Sequence, residues 1–182
     1  MRKYVAELLG TFVMVFCGTG AMVIDQQTGG GVTHAGVAIT WGLIVMCMIY
    51  AFGDASGAHM NPAVSIAFTV ARRFKTSLLP GYIISQFAGA VLASLTLRLL
   101  FPVNATLGAT LPVGSEMQSF VLELLLTFFL MLVIMQVAHG SKEQGMYAGI
   151  AIGAVVGLEA MFAGPICGAS MNPARSMAPA FV

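Results

Sequence analysis

The sequence predicts an all-α membrane protein, an inverted repeat with five spanning helices present, two short half-helices and the sixth span missing. Three observations carry this. Of 182 residues, 58% are hydrophobic and 8% charged, with mean hydropathy +0.92, whereas soluble domains carry roughly 25% charged residues. Ten residues occur twice, SGAHMNPAVS at 56–65 and CGASMNPARS at 167–176, and agree at seven positions. The remaining apolar runs come in lengths near the roughly 20 residues that a spanning helix needs, while each decapeptide opens a helix too short to span.

Tyr4–Ile24 reads as the first span. Arg2 and Lys3 followed by so long an apolar run exclude a cleavable signal peptide. Asp25–Thr33 is a Gly- and Gln-rich loop, and Ala35–Phe52 the second span, ending at Gly53-Asp54. The first decapeptide leads into the half-helix Pro62–Ala71, which stops at Arg72-Arg73. Leu78–Leu100 is the third span, Phe101–Ser115 a loop, Phe120–Ala138 the fourth span and His139–Gln144 a polar link. Gly145–Ala163 is the fifth span, and the second half-helix begins at Pro173. One domain, 1–182, therefore divides into a first repeat, 4–100, and an incomplete second one, 120–182. With the N-terminus inside, Arg2, Lys3, Arg72, Arg73, Lys75 and Lys142 are cytoplasmic, six of the eight basic residues, leaving Arg98 and Arg175.

The duplication extends beyond the decapeptides. Val5–Phe12 matches Val121–Phe128 at six of eight positions, and Ala35–Ile39 resembles Ala148–Ile152. The first repeat holds three spans, so its partner enters the membrane from the opposite side, and broken helices in inverted repeats point to a midplane site. Asn is a preferred N-cap and Pro suits the first turn, so Asn61 and Asn172 should each cap a half-helix with the side-chain oxygen and leave the amide NH2 free as a donor. Irregular backbone at membrane depth must be buried or line a watery cavity, which makes Gly57–Met60 and Gly168–Met171 candidate pore lining. Two Asn donors at two positive helix ends would orient a passing water by its oxygen, repel cations and interrupt a proton wire. The chemistry implied is a passive pore for small neutral molecules.

The doubled Asn-Pro-Ala elements, Glu7 and Glu123 early in each repeat, and Arg175 after the second element resemble the aquaporin, or major intrinsic protein, family over the whole chain. Within it the nodulin-like branch is most similar, through the stretches 34–41, 57–64 and 163–172. The resemblance implies a pore built on Asn61, Pro62, Ala63, Asn172, Pro173 and Ala174, with Gly57, Ala58, His59, Met60, Gly168, Ser170 and Met171 along its wall. It implies an outer selectivity filter of Trp41, Ala160, Ala169 and Arg175, wider than that of strict water channels, which have His at the second position. A solute with CH groups on one side and OH groups on the other, such as glycerol or arsenous or boric acid, would suit an indole wall facing an Arg donor fork. Glu7 and Glu123 are implied to be structural carboxylates that accept backbone N–H groups of the turns. A homotetramer of the full-length parent in the plasma membrane is implied as well.

Other residues have plainer readings. Glu159 has no repeat partner and stands about 100° around its helix from Ala160, away from the pore. His59 is expected to line the cytoplasmic vestibule as a donor rather than to gate by pH, and His34 and His139 to lie at the interface. Cys17, Cys47 and Cys167 read as small core residues without a disulfide framework. The thirteen Met residues read as packing or lipid-facing groups, and Gly36, Gly42, Gly81 and Gly89 as close helix crossings. No metal or cofactor is expected, and no nucleic acid. An enzyme is disfavoured because Ser56 and Ser170 have no base at their depth apart from His59. The alternatives kept are a fragment that does not conduct by itself and a secondary transporter.

Overall fold

In the computed structural model, residues 1–138, 141 and 145–182 are described. His139 and Lys142, and with them most of the polar link, lie outside the described residues. Among those described, the chain forms α1 (Arg2–Gln27), α2 (Thr33–Ser56), α3 (Pro62–Val70), a 3-10 turn (Thr76–Leu78) leading into α4 (Leu79–Leu100), α5 (Glu116–Val137), α6 (Ala148–Cys167) and α7 (Pro173–Phe181). Five of these segments are long and apolar enough to cross a membrane. Helices α3 and α7 have nine residues each, about 13 Å of helix, and reach only part of the way.

The boundaries differ from expectation where a cap decides them. Helices α2 and α6 run past Phe52 and Ala163 to Ser56 and Cys167, because each is closed by a left-handed glycine. Gly57 has φ 86° and Gly168 φ 84°, and their N–H groups reach the Gly53 and Gly164 carbonyls. Only glycine takes that conformation without a steric cost, so the stop lies at the decapeptide. Helix α5 begins at Glu116, before the apolar run, because Ser115 Oγ accepts the Gln118 N–H at 3.1 Å.

Helix α1 packs on α2 and α4, and α2 also on α6; α6 packs on α5, and α4 reaches across to α7. Bare backbone permits two of these crossings. A Cβ on Gly42 would lie 2.7 Å from the Gly153 carbonyl oxygen, and one on Gly153 2.6 Å from that of Gly42. Gly89 likewise sits on the Leu8 carbonyl, and Gly81 on the Tyr4 ring. Gly36 marks no crossing, since its neighbours are Val32 and Thr33 of its own first turn.

Large apolar side chains face outward along the spans, among them Leu43, Ile84, Leu99, Phe128, Leu158 and Phe162. So extensive an apolar exterior is that of a protein whose solvent is lipid. The three cysteines are free, but Cys47 is exposed on that surface and not in the core. Its position on the far side of α2 from the cavity is set by helical phase, which the residue type does not reveal. A hollow of about 410 Å³ lies between α3, α5 and α7, bounded in part by Ala63, Phe120, Glu123 and Pro173.

Candidate pore site

The two decapeptides fold alike and meet end to end. In each, the left-handed glycine is followed by further left-handed residues, Ala58 (φ 47°) and Met60 (φ 48°) in the first, Ala169 (φ 41°) and Met171 (φ 51°) in the second. For non-glycine residues this conformation costs about 1–2 kcal/mol each, so something must hold the turns. Glu7 does so in the first. Its Oε1 accepts the His59 N–H at 2.9 Å and the Ser56 hydroxyl at 2.7 Å; Oε2 accepts the Met60 N–H and the Gln86 amide, both at 2.7 Å. In the second, Glu123 accepts the Ser170 N–H at 2.7 Å and the Met171 N–H at 2.8 Å. Both acids lie on spanning helices and accept backbone N–H groups of the adjoining turn.

After each Met, an Asn turns the chain into a half-helix. Asn61 Oδ1 accepts the Ala63 N–H at 2.9 Å, while Asn172 Oδ1 accepts those of Ala174 at 3.0 Å and Arg175 at 3.3 Å. The expectation that both amide hydrogens stay free is corrected here. Asn61 Nδ2 donates to the Met171 carbonyl at 2.7 Å and Asn172 Nδ2 to the Met60 carbonyl at 2.9 Å. Each Asn thus spends one hydrogen on the opposite turn, because the Met carbonyls face each other's Asn across the meeting point and would otherwise be buried without a donor. One hydrogen per Asn is left for the space between the helices.

That space is a cavity of about 160 Å³. Its wall includes Gly57, Ala58, His59, Met60, Asn61, Ala169, Ser170, Met171 and Asn172, and at one end Trp41, Ala160 and Arg175. Most of the rest is aliphatic, with Val45, Val64, Leu130 and Val156 among the lining. Five expected members lie elsewhere. Gly168 faces away, its missing Cβ pointing at Thr110 of the loop after α4. Ala63 and Pro173 border the hollow beside α5. Pro62 and Ala174 are buried. They shape the half-helices, and the two Asn side chains alone carry the Asn-Pro-Ala elements to the lumen wall.

Trp41, Ala160, Ala169 and Arg175, drawn from three helices and a turn, are each at most 8% exposed and come together at one end. The Arg175 guanidinium carbon stands 5.1 Å from the Trp41 ring centroid, a cation–π distance. Gly18 of α1 lets the indole lie against bare backbone. Arg175 Nη2 contacts Met22 Sδ at 3.3 Å, and Nη1 has no protein partner among the described residues. At the other end His59 stacks on Phe68 with 4.9 Å between ring centroids, lies close to Phe74 and Tyr82, and places Nδ1 3.0 Å from Ser65 Oγ.

Sequence reasoning missed several members of this assembly. Gln86 and Tyr82, whose hydroxyl donates to the Ser56 carbonyl at 2.7 Å, both belong to the first turn's support. A Gln inside a span is itself a signal, since a buried amide in lipid must find partners. Glu159 is 1% exposed, and neither carboxyl oxygen has a partner among the described residues.

Five apolar crossings, two half-helices joined at their capping Asn residues and a narrow lumen between the repeats define an integral, multi-pass membrane protein of the inverted-repeat channel architecture. The profile of the major intrinsic protein family matches residues 1–182, and the chain belongs to that family. It is 50% identical over 183 residues to aquaporin NIP1-1 of Oryza sativa subsp. japonica, covering 100% of this chain and 64% of that one. With nodulin-26 of Glycine max it shares 46% identity over 183 residues, covering 68% of that protein. The crystal structure of the aquaglyceroporin from Plasmodium falciparum superposes with a TM-score of 0.90 at 28% identity, over 99% of this chain and 79% of that one. The chain therefore spans a little under two thirds of the length of rice NIP1-1.

Proposed function

We propose that the protein is a passive channel for water and small uncharged solutes, glycerol and hydroxylated metalloid acids among them, that excludes ions and protons. The observation that carries this reading is the lumen itself. Its wall is mostly aliphatic, its polar side chains include donors at two levels, and no carboxylate is among the described residues that border it. Asn61 and Asn172 offer one hydrogen each where two positive helix ends meet, an arrangement unfavourable to cations and to a continuous proton wire. At the filter of Trp41, Ala160, Ala169 and Arg175, two alanines leave room, the indole offers an apolar wall and Arg175 Nη1 offers donors. A polyol with distinct CH and OH edges matches both sides. The aquaglyceroporin likeness supports the same solute class.

The half-helices and carboxylates have pore and scaffold roles, and the N-terminus faces the cytoplasm of a plasma-membrane protein. The parent assembles as a homotetramer with one pore per subunit. Stopped-flow light scattering on proteoliposomes carrying the chain, with water, glycerol and arsenous acid gradients, tests the reading. Permeation above that of empty liposomes, lost on Asn172→Asp, is expected. Solute flux no faster than in empty liposomes would overturn it for this chain and favour the non-conducting reading.

A further inference from the structure

Helix α6 contains a proline, Pro165. In a helix the N–H of residue 165 would bond to the carbonyl of residue 161, and proline has no N–H to give. The Met161 carbonyl is nonetheless not left without a donor. His34, in the first turn of α2, places Nε2 2.6 Å from it. A carbonyl oxygen only accepts, so Nε2 must carry the hydrogen, which selects one imidazole tautomer. The His34 ring also packs against Gly164, where an added Cβ would stand 3.2 Å from Cε1. At the opposite end of the same helix pair, the Tyr50 hydroxyl donates to the Met146 carbonyl at 3.1 Å. Helices α2 and α6 are therefore pinned by a side chain near both ends, with the Gly42–Gly153 contact between.

We propose that His34 is a positioning residue for solute selectivity, supplying to Met161 the hydrogen bond that Pro165 cannot and so fixing the separation of Trp41 and Ala160. Met161 directly follows Ala160, and Trp41 lies two turns beyond His34 on the same helix. Any drift of α6 from α2 at this level opens the filter between the indole and the alanine. The bond is made outside the lumen, so His34 acts through helix spacing and not by touching solute. This inference rests on the channel reading above.

Two measurements separate the inference from that reading. Nitrogen-15 NMR of histidine-labelled chain in liposomes should show His34 with its hydrogen on Nε2, and a His34 hydrogen on Nδ1 would overturn the proposal whether or not the chain conducts. In proteoliposomes, His34→Ala should raise the glycerol-to-water permeability ratio above that of the unmodified chain. His34→Gln, which keeps an N–H donor at similar reach, should restore the ratio. Pro165→Ala returns an amide hydrogen to Met161, so His34→Ala in that background should leave the ratio unchanged. An undiminished effect of His34→Ala beside Pro165→Ala would refute the proposal. A wild-type chain that passes no solute would end the channel reading and the selectivity role with it, while the NMR result would still decide the bond.

Discussion

Asn61 and Asn172 each donate to the carbonyl of the residue that precedes the other, at 2.7 and 2.9 Å. The two Asn-Pro-Ala elements are thus cross-linked by a reciprocal pair of hydrogen bonds, and each Asn both caps its own half-helix and closes the opposite turn. Ordinary N-cap preference ranks Asp with Asn and far above Ala. Here Asp would keep the cap but set an oxygen against the Met171 carbonyl in a buried place. Asn61→Asp is therefore expected to lower the thermal unfolding midpoint more than Asn61→Ala. An Asp variant as stable as the Ala variant would show the cross-bond to be energetically minor.

Among the described residues, Glu7 accepts two backbone and two side-chain N–H or O–H donors, and Glu123 accepts two backbone N–H groups. Hydrogen bonds to a charged group contribute about 1.5–3 kcal/mol each. Glu7→Gln turns one acceptor atom into a donor facing donors, and it should destabilise the chain by at least about 2 kcal/mol more than Glu123→Gln. Denaturant titration of both variants under one set of conditions checks the order.

Glu159 should behave in the opposite way. A buried carboxyl with no partner costs free energy in either protonation state, and a buried polar group without a hydrogen bond costs about 1–3 kcal/mol in proteins. Glu159→Leu is expected to raise the unfolding midpoint by a few degrees, with solute flux unchanged. A fall in stability would reveal a partner for this side chain.

Gly42 and Gly53 lie on the same helix and predict opposite outcomes. A methyl on Gly42 meets backbone of α6 at 2.7 Å, whereas one on Gly53 meets nothing within 4 Å. Gly42→Ala should cost about 1–3 kcal/mol by overpacking, and Gly53→Ala should stabilise by about 0.4–1 kcal/mol through the unfolded state. Equal effects would mean that α2 and α6 can part freely.

At the filter, Ala160→His fills the room beside Trp41 and adds a donor. Glycerol permeation should fall to the level of empty liposomes while water permeation persists. Retention of glycerol flux would place the narrow point elsewhere.

The spans, the half-helices and the capping Asn residues were legible in the sequence because hydropathy, length and cap chemistry are local properties. The ends of α2 and α6 were misread, since apolar periodicity fades before the glycine that actually stops each helix. Nothing about Met announces a left-handed backbone, so the strained Met60 and Met171, and the carbonyls they aim at the opposite Asn, could not be read in advance. Gly57 and Gly168 are identical in the repeat, yet one lines the cavity and the other faces Thr110. The loop after α4 covers only the second turn, and such asymmetry belongs to tertiary packing. The same holds for His34, whose task is created by a proline 131 positions later.

The unequal support of the two turns acquires a meaning in time. Everything that holds Met60 through Glu7 comes from the first 86 residues, with Gln86 the last to arrive. The Met171 carbonyl that Asn61 needs is made 110 residues after it, about 6 to 20 seconds later at usual rates of synthesis. The first turn can thus stand assembled on four bonds while it waits for its counterpart. The second turn emerges opposite a finished template and needs only two bonds to Glu123 before the cross-bonds close.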